Sequence, residues 1–436
     1  MQYQQNSNIE VNLPQVGSKI LAKYYSFFLC VNIFLPKVDF GFGQFYIFDF
    51  ANCVLLFFLL LRGKLYLRST VILSYIAFMF TCYVAYIVGL LNFSFFDTVS
   101  FFRLIKFTVF ILFLVLPYYI HEEFTLADVK KIIKYQIVFI VLAGLYTIYH
   151  MIFYPLDANE YSWSYDNRYR LIGLTSYVID INGNLKLGGS TSVSMGVFVA
   201  FIFFVLLSFY KFTSKRTYLI WAILIFILEF FTYSRAGILV MITGLSYYFL
   251  LNVKPGLLLR IFALFILCLA VSFYFNLFDK LATFGTLAKI TNFSLESDSS
   301  IGTRVKMLYA GFNYILEHPL TIFWGAGYGE EYTLAAIGFS HLEGLIPTIL
   351  FTAGIFSVAL VVYHFYTLWE TSKRFSLMND SIYKPFLYAV RIFIPGWFLS
   401  ALAAGNTFQT DYYFPLIYFI FFVSYFKIRK SAAVPS

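Results

Sequence analysis

Residues 218–252 read YLIWAILIFILEFFTYSRAGILVMITGLSYYFLLN, and only Glu229 and Arg235 carry a charge in this run. A membrane span needs roughly 20 apolar residues. The stretch is therefore too long for one crossing, and its polar break, TYSRAG, divides it into two spans centred near Phe226 and Met241. The pattern recurs outward in both directions, with further centres near Leu29, Leu55, Phe78, Phe113, Ala143, Phe201, Leu267, Val358, Phe393 and Tyr418, about twelve spans in all. Composition agrees: 61% of the 436 residues are hydrophobic and 12% charged, against roughly half and a quarter in soluble domains. The expected fold is an all-α polytopic membrane protein, one integral membrane domain over residues 1–436.

The formal net charge of +9 needs no nucleic acid to explain it, because membrane proteins keep surplus Lys and Arg in cytoplasmic loops. The cations cluster after span two (Arg62, Lys64, Arg68), four (Lys130, Lys131, Lys134), six (Lys211, Lys215, Arg216), eight (Lys254, Arg260) and ten (Lys373, Arg374, Lys384), and in the tail (Lys427, Arg429, Lys430). Every second loop is basic, so both termini are expected in the cytoplasm and loops after odd-numbered spans outside. Cys30, Cys53, Cys82 and Cys268 all fall inside hydrophobic spans without metal-ligand spacing and read as packing residues. The first residues show no cleavable signal pattern, so span one is expected to be retained.

Two outside segments, about 154–190 and about 276–344, are too long to be simple connectors. Their Tyr, Phe, Leu and Ile content argues that they fold against the helix mouths. In the second, Val305, Leu308, Tyr309, Phe312, Ile315 and Leu316 recur at helical spacing, which predicts an amphipathic helix along the membrane surface with Thr303 as N-cap and Pro319 as stop. The WGAGYGE run that follows allows a tight, backbone-exposing turn.

Cations on the outer face gain nothing from topology and so are informative; the arginines among them are Arg103, Arg168, Arg170, Arg235 and Arg304. Arg235 has no hydrophilic linker on either side, and Arg near the hydrocarbon is costly without a partner. Glu229 is a candidate counter-ion, but on a continuous helix the two would point about 120° apart, so a bridge needs a break near Tyr233. The guanidinium fork suits a multiply charged anion such as pyrophosphate. The acid/base candidates facing outside are His341 and Glu343, just before span ten. No histidine pair has zinc spacing, and neither a metal nor a cofactor is expected.

Three segments together resemble the bacterial O-antigen polymerase and ligase superfamily, and within it the polymerases of Wzy type. FTYSRAG (231–237) resembles the family's Ser-Arg-Gly/Ala junction. GTRVKMLYAGFNYILEHPLTIFWGAGYG (302–329) resembles its Arg, amphipathic helix, Pro-Leu and Gly-x-Gly run. SHLEGLIPTILFTAGIF (340–356) resembles its His or acid followed by a helix with a Gly-Ile turn. Arg170 with Gly173 resembles the Arg-x-x-Gly of the earlier loop. The ligase pattern places His eleven residues before the helix Gly and ends Gly-x-x-Gly; here Gly354 lies eleven after Glu343 and thirteen after His341, and Ser357 replaces the second Gly. That departure favours polymerase.

The resemblance implies a glycosyltransferase in the bacterial inner membrane. It would join undecaprenyl-pyrophosphate-linked oligosaccharide units on the periplasmic face, with Arg170, Arg235 and Arg304 on the pyrophosphate and Glu343 or His341 as base. A chain-length regulator and a flippase of the same pathway are the implied partners. The rival readings are a ligase that hands polymer to a lipid A core, and a transporter of a lipid-linked solute. A transporter is expected to show repeated halves, which the sequence lacks.

Overall fold

The computed structural model describes residues 15–40, 44–45, 47–61, 66–154, 170–172, 177–187, 191–232, 234–252, 299–340, 342, 344–378, 382–404 and 413–433. The expected span near Leu267, Arg168, Gly173, His341 and Glu343 lie outside them, as does most of the first long loop.

The chain is an all-α polytopic membrane protein. Among the described residues seven helical segments are long and apolar enough to cross a membrane: Thr70–Phe93, Thr98–Glu123, Leu126–Phe153, Ser194–Thr213, Arg235–Asn252, Leu345–Ser376 and Lys384–Leu402. The other expected centres within the described residues, Leu29, Leu55, Phe226 and Tyr418, also fall in helices. In chain order the N-terminal helices are α1 (Gln15–Val31), α2 (Ile47–Leu61), α3 (Thr70–Phe93), α4 (Thr98–Val109), α5 (Ile111–Ile120) and α6 (Leu126–Phe153). Local chemistry sets their ends. Asp97 caps α4 by accepting from Ser100 N, and Thr125 with Asp128 forms a capping box on α6.

The second half begins with α7 (Thr191–Thr213) and α8 (Arg216–Glu229), then a 3-10 turn at Phe230–Thr232 and α9 (Arg235–Asn252). It continues with α10 (Ser299–Glu317), α11 (Thr321–Trp324), α12 (Glu330–Ile337), α13 (Leu345–Ser376), α14 (Lys384–Ala404) and α15 (Tyr413–Ala433). α14 packs against α7, α9, α13 and α15, and α13 also packs on α3. The α7 and α14 spans are the most enclosed of the seven, as expected for helices that are hydrophobic all round. Their close approach to α9 needs small residues: a Cβ on Gly396 would come within 2.5 Å of Val240 O.

A small sheet, β1 (Lys37–Asp39), β2 (Gln44–Phe45), β3 (Tyr177–Ile179) and β4 (Leu185–Leu187), has the order β2-β1-β3-β4, with β1 parallel to β3. It joins the loop after span one to the loop after span five. Other contacts follow the same parity. Leu171 N, after span five, donates to Phe231 O after span seven at 2.7 Å. Arg103, after span three, meets Glu330 of the second long loop at 2.8 Å. At the other end, Lys427 of α15 donates to Glu122 O after span four at 3.1 Å, Arg429 to Tyr66 Oη after span two at 2.9 Å, and Ser18 of α1 to Glu123 at 3.2 Å. These contacts join odd loops to odd loops and even to even, which gives the bundle two distinct faces.

One expectation for α10 is revised. The helix starts at Ser299, so Thr303 sits inside it rather than at its N-cap; Pro319 follows its end, as expected. Val305, Leu308, Tyr309, Phe312 and Leu316 are exposed, while Met307, Tyr314 and Ile315 pack on Leu342 and Phe351. Five of the six stripe residues thus point away from the protein, while Ile315 lies on the face that binds it.

Candidate functional site

The α8–α9 junction is built by the side chains of its own short sequence. Thr232 Oγ1 donates to Glu229 O at 2.8 Å and reaches the Glu229 carboxylate at 3.4 Å, which ends α8 in a 3-10 turn. The Thr232 hydroxyl in turn accepts from Ser234 N at 3.1 Å, and Ser234 Oγ accepts from Gly237 N at 3.0 Å. Ser234 is thus the N-cap of α9 and Arg235 its first residue. Thr232, Ser234 and Glu229 are buried, whereas Arg235 is exposed.

The helix does break where a bridge between Glu229 and Arg235 would require it. The carboxylate nevertheless turns inward, and no ion pair joins it to Arg235 among the described residues. Its place between α7 and α9 explains the glycines: a Cβ on Gly237 would stand 1.9 Å from Glu229 Oε1 and 2.7 Å from the Gly196 backbone. Arg235 has a cation's least favourable position on a helix, the positive end of the dipole. That combination concentrates positive potential, which is the arrangement that recruits an anion.

The 2.7 Å bond from Leu171 N to Phe231 O pins the neighbouring residue of Arg170 to this turn, with Leu171 fully buried. Arg170, half-buried, therefore enters the same neighbourhood as Arg235 from a distant loop. Arg304 is also half-buried and lies on the inward face of α10, in register with Met307, Gly311 and Tyr314. Gly311 is the point of closest approach: a Cβ there would sit 3.3 Å from Leu342 and 3.6 Å from Phe351. Leu342, which lies between His341 and Glu343 in sequence, therefore shares this interface with α10, about 10 Å along the axis from Arg304 at 1.5 Å per residue.

Two further devices hold this interface, and neither motif showed its role when read singly. Gly354 breaks α13 with φ 81° and ψ 176°. The carbonyls freed there accept from the glycine run: Ala326 N donates to Phe351 O at 2.7 Å and Gly327 N to Thr352 O at 3.3 Å. On its other side the run meets α3, where Tyr328 N donates to Ala85 O at 3.2 Å and Asn92 Nδ2 to Ala326 O at 3.3 Å. Non-helical backbone at this depth is tolerated because it is enclosed by protein and paired.

The second device is Asp97. One carboxylate oxygen caps α4, and the other accepts from Glu331 N of α12 at 3.2 Å, while Ser100 Oγ accepts from Glu330 N at 3.1 Å. With the Arg103–Glu330 pair this clamps the second long loop to α4. Arg103 thereby leaves the set of anion-binding candidates, and nearby Lys106 pairs with buried Asp49 at 3.5 Å. Burial raises the pKa of Tyr328 beside this clamp well above that of an ordinary phenol, so it serves as a neutral packing group. A cavity of about 560 Å³ lined by Lys19, Lys23, Glu123, Asp128 and Lys131 opens on the other face and holds none of the predicted site residues.

The arrangement is that of a multi-pass membrane protein with arginine-bearing elements gathered on one face. Residues 220–352 match the family model described as O-antigen ligase, which bears out the resemblance to the O-antigen ligase/polymerase superfamily. The match contains Arg235, Arg304, His341 and Glu343; Arg170 and the five N-terminal spans precede it. No curated protein matches the chain at a significant level. Members of the matched family act on lipid-linked glycans in surface-polysaccharide assembly.

Proposed function

We infer that the protein is a lipid-linked oligosaccharide polymerase of Wzy type, acting at the odd-loop face. The supporting observations are that the Leu171–Phe231 bond ties the segment of Arg170 to the turn before Arg235, the first residue of α9, and that α10, which bears Arg304, packs on Leu342. In this reading the arginines bind the pyrophosphate of an undecaprenyl-linked glycan and stabilise the charge that grows on it. A hydroxyl of a second lipid-linked unit attacks the anomeric carbon of the first. The carbon–oxygen bond to pyrophosphate breaks, its electron pair leaves with undecaprenyl pyrophosphate, and the hydroxyl proton passes to Glu343 or His341. The face is periplasmic, the membrane is the bacterial inner membrane, and both termini are cytoplasmic. A flippase supplies the substrate and a chain-length regulator limits the product.

The description of the matched family favours a second reading, transfer of finished polymer to a lipid A core. Arg235→Ala or Arg304→Ala in the native host distinguishes the two on a gel of surface polysaccharide. Collapse of the ladder to a core bearing a single repeat supports the polymerase. Complete loss of attached repeats with lipid-linked polymer accumulating supports the ligase, and an unchanged ladder removes the mutated arginine from the site.

A further inference from the structure

α9 runs from Arg235 on one face to Asn252 on the other, and its far end meets a second gathering of cations. On α14, Lys384, Tyr388 and Arg391 are spaced by four and three residues and lie along one face of the helix. Lys211, at the end of α7, holds its ammonium 3.9 Å from the Tyr388 ring centroid and 5.4 Å from that of Phe212. Lys384 lies 5.4 Å from the same Phe212 ring, and the Arg391 guanidinium 5.9 Å from Tyr247 of α9. Lys211 also donates to Asn252 Oδ1, and Asn252 Nδ2 donates to Tyr388 Oη at 2.6 Å.

Among the described residues none of the three forms an ion pair with a carboxylate. Arg391 is only 7% exposed, and its Nε is buried without a hydrogen-bond partner among the described residues. An unpaired guanidinium in a membrane helix is costly, and three converging cations add mutual repulsion. The ring faces offset part of that cost, and an anion would complete the site. The start of α14 brings the positive end of a helix dipole to the cluster, and the last turns of α7 and α9 bring negative ends that favour the lysines themselves. Leu250 and Leu251 of α9 and Phe212 of α7 are exposed beside the cluster, so an acyl chain would find apolar surface next to the charges.

We propose that Lys211, Lys384 and Arg391 form a binding site for the phosphate of an anionic phospholipid, on the face of the bundle opposite the arginine site. Basic pockets between membrane helices have the chemistry to hold such headgroups. The site is independent of the polysaccharide reaction, and its test needs no activity.

Purified full-length protein in detergent is titrated separately with phosphatidylglycerol, cardiolipin, phosphatidylcholine and inorganic phosphate, and followed by native mass spectrometry and thermal unfolding. The two anionic lipids are expected to give retained adducts and a higher unfolding midpoint, and the other two additives neither. The Lys211→Ala/Lys384→Ala double variant should retain anionic lipid on the order of tenfold more weakly, with Arg391→Gln behaving alike. The lysines are half-exposed, so the double variant tests the site even where Arg391→Gln fails to fold. Equal retention by the double variant overturns the proposal, as does equal stabilisation by phosphatidylcholine. A full shift with inorganic phosphate alone also overturns the lipid assignment.

Discussion

Arg235 is the first residue of α9, where the helix already presents positive charge, so its position is unfavourable for the helix and favourable for an anion. Lysine keeps the charge but not the planar two-pronged donor set. Arg235→Lys is therefore expected to lower polymer yield by on the order of tenfold, and Arg235→Ala by on the order of a hundredfold, the scale of losing one charge-stabilising donor. Densitometry of the surface polysaccharide at matched protein abundance reads both; equal yields from the two variants would show that the fork has no role. Gly237 fails differently. A Cβ there would stand 1.9 Å from Glu229 Oε1, so Gly237→Ala should destabilise the protein by about 1–3 kcal/mol through overpacking. The readout is the unfolding midpoint of purified protein, and an unshifted midpoint would mean that α7 and α9 have room to part.

At the scale of elements, the informative unit is the break in α13 and the loop that fills it. Gly354 has a backbone conformation that disfavours any side chain, and a Cβ there would lie 2.1 Å from Phe323 O. Gly354→Ala should cost about 2 kcal/mol or more and loosen residues 324–329, exposing them to limited proteolysis that spares the wild type; an identical digestion pattern would contradict this. The sequence made both glycine motifs visible, and even marked Gly354 as part of a helix turn, but it could not show that one supplies N–H groups to carbonyls the other releases. That pairing exists only after α13 and α3 close around the loop. The double role of Asp97 was hidden for the same reason, since Asp before a helix signals one cap and the second helix lies more than two hundred residues away. The amphipathicity of α10 was legible from spacing, whereas its binding face was not, because Gly311 and Met307 carry little signal beside five exposed apolar residues. Arg103 and Arg235 looked alike as outward arginines, and the pairing of Arg103 with Glu330 could not be seen in the sequence, because the two lie more than two hundred residues apart.

Across the whole molecule, the alternation of basic and non-basic loops predicted two faces, and the contacts between distant loops divide the same way. β1 with β3, Leu171 with Phe231 and Arg103 with Glu330 form one set; Ser18 with Glu123, Lys427 with Glu122 and Arg429 with Tyr66 form the other. The first set surrounds the candidate site and the second lies at the far ends of the helices. Surplus Lys and Arg mark the cytoplasmic side, so the arginine site should be reachable from outside the cell membrane. Asn182, in the exposed turn between β3 and β4, and Lys215, between α7 and α8, provide the test. In a background with the four native cysteines replaced by alanine or serine, Asn182→Cys should react with a membrane-impermeant maleimide added to spheroplasts, and Lys215→Cys only after permeabilisation. Labelling of both residues without permeabilisation, or the reverse order, would contradict the proposed placement of Arg235 on the outer side. The expected order would leave the anionic-lipid cluster at Lys211 facing the inner leaflet, one helix length of about 27 Å from the arginine at the start of α9.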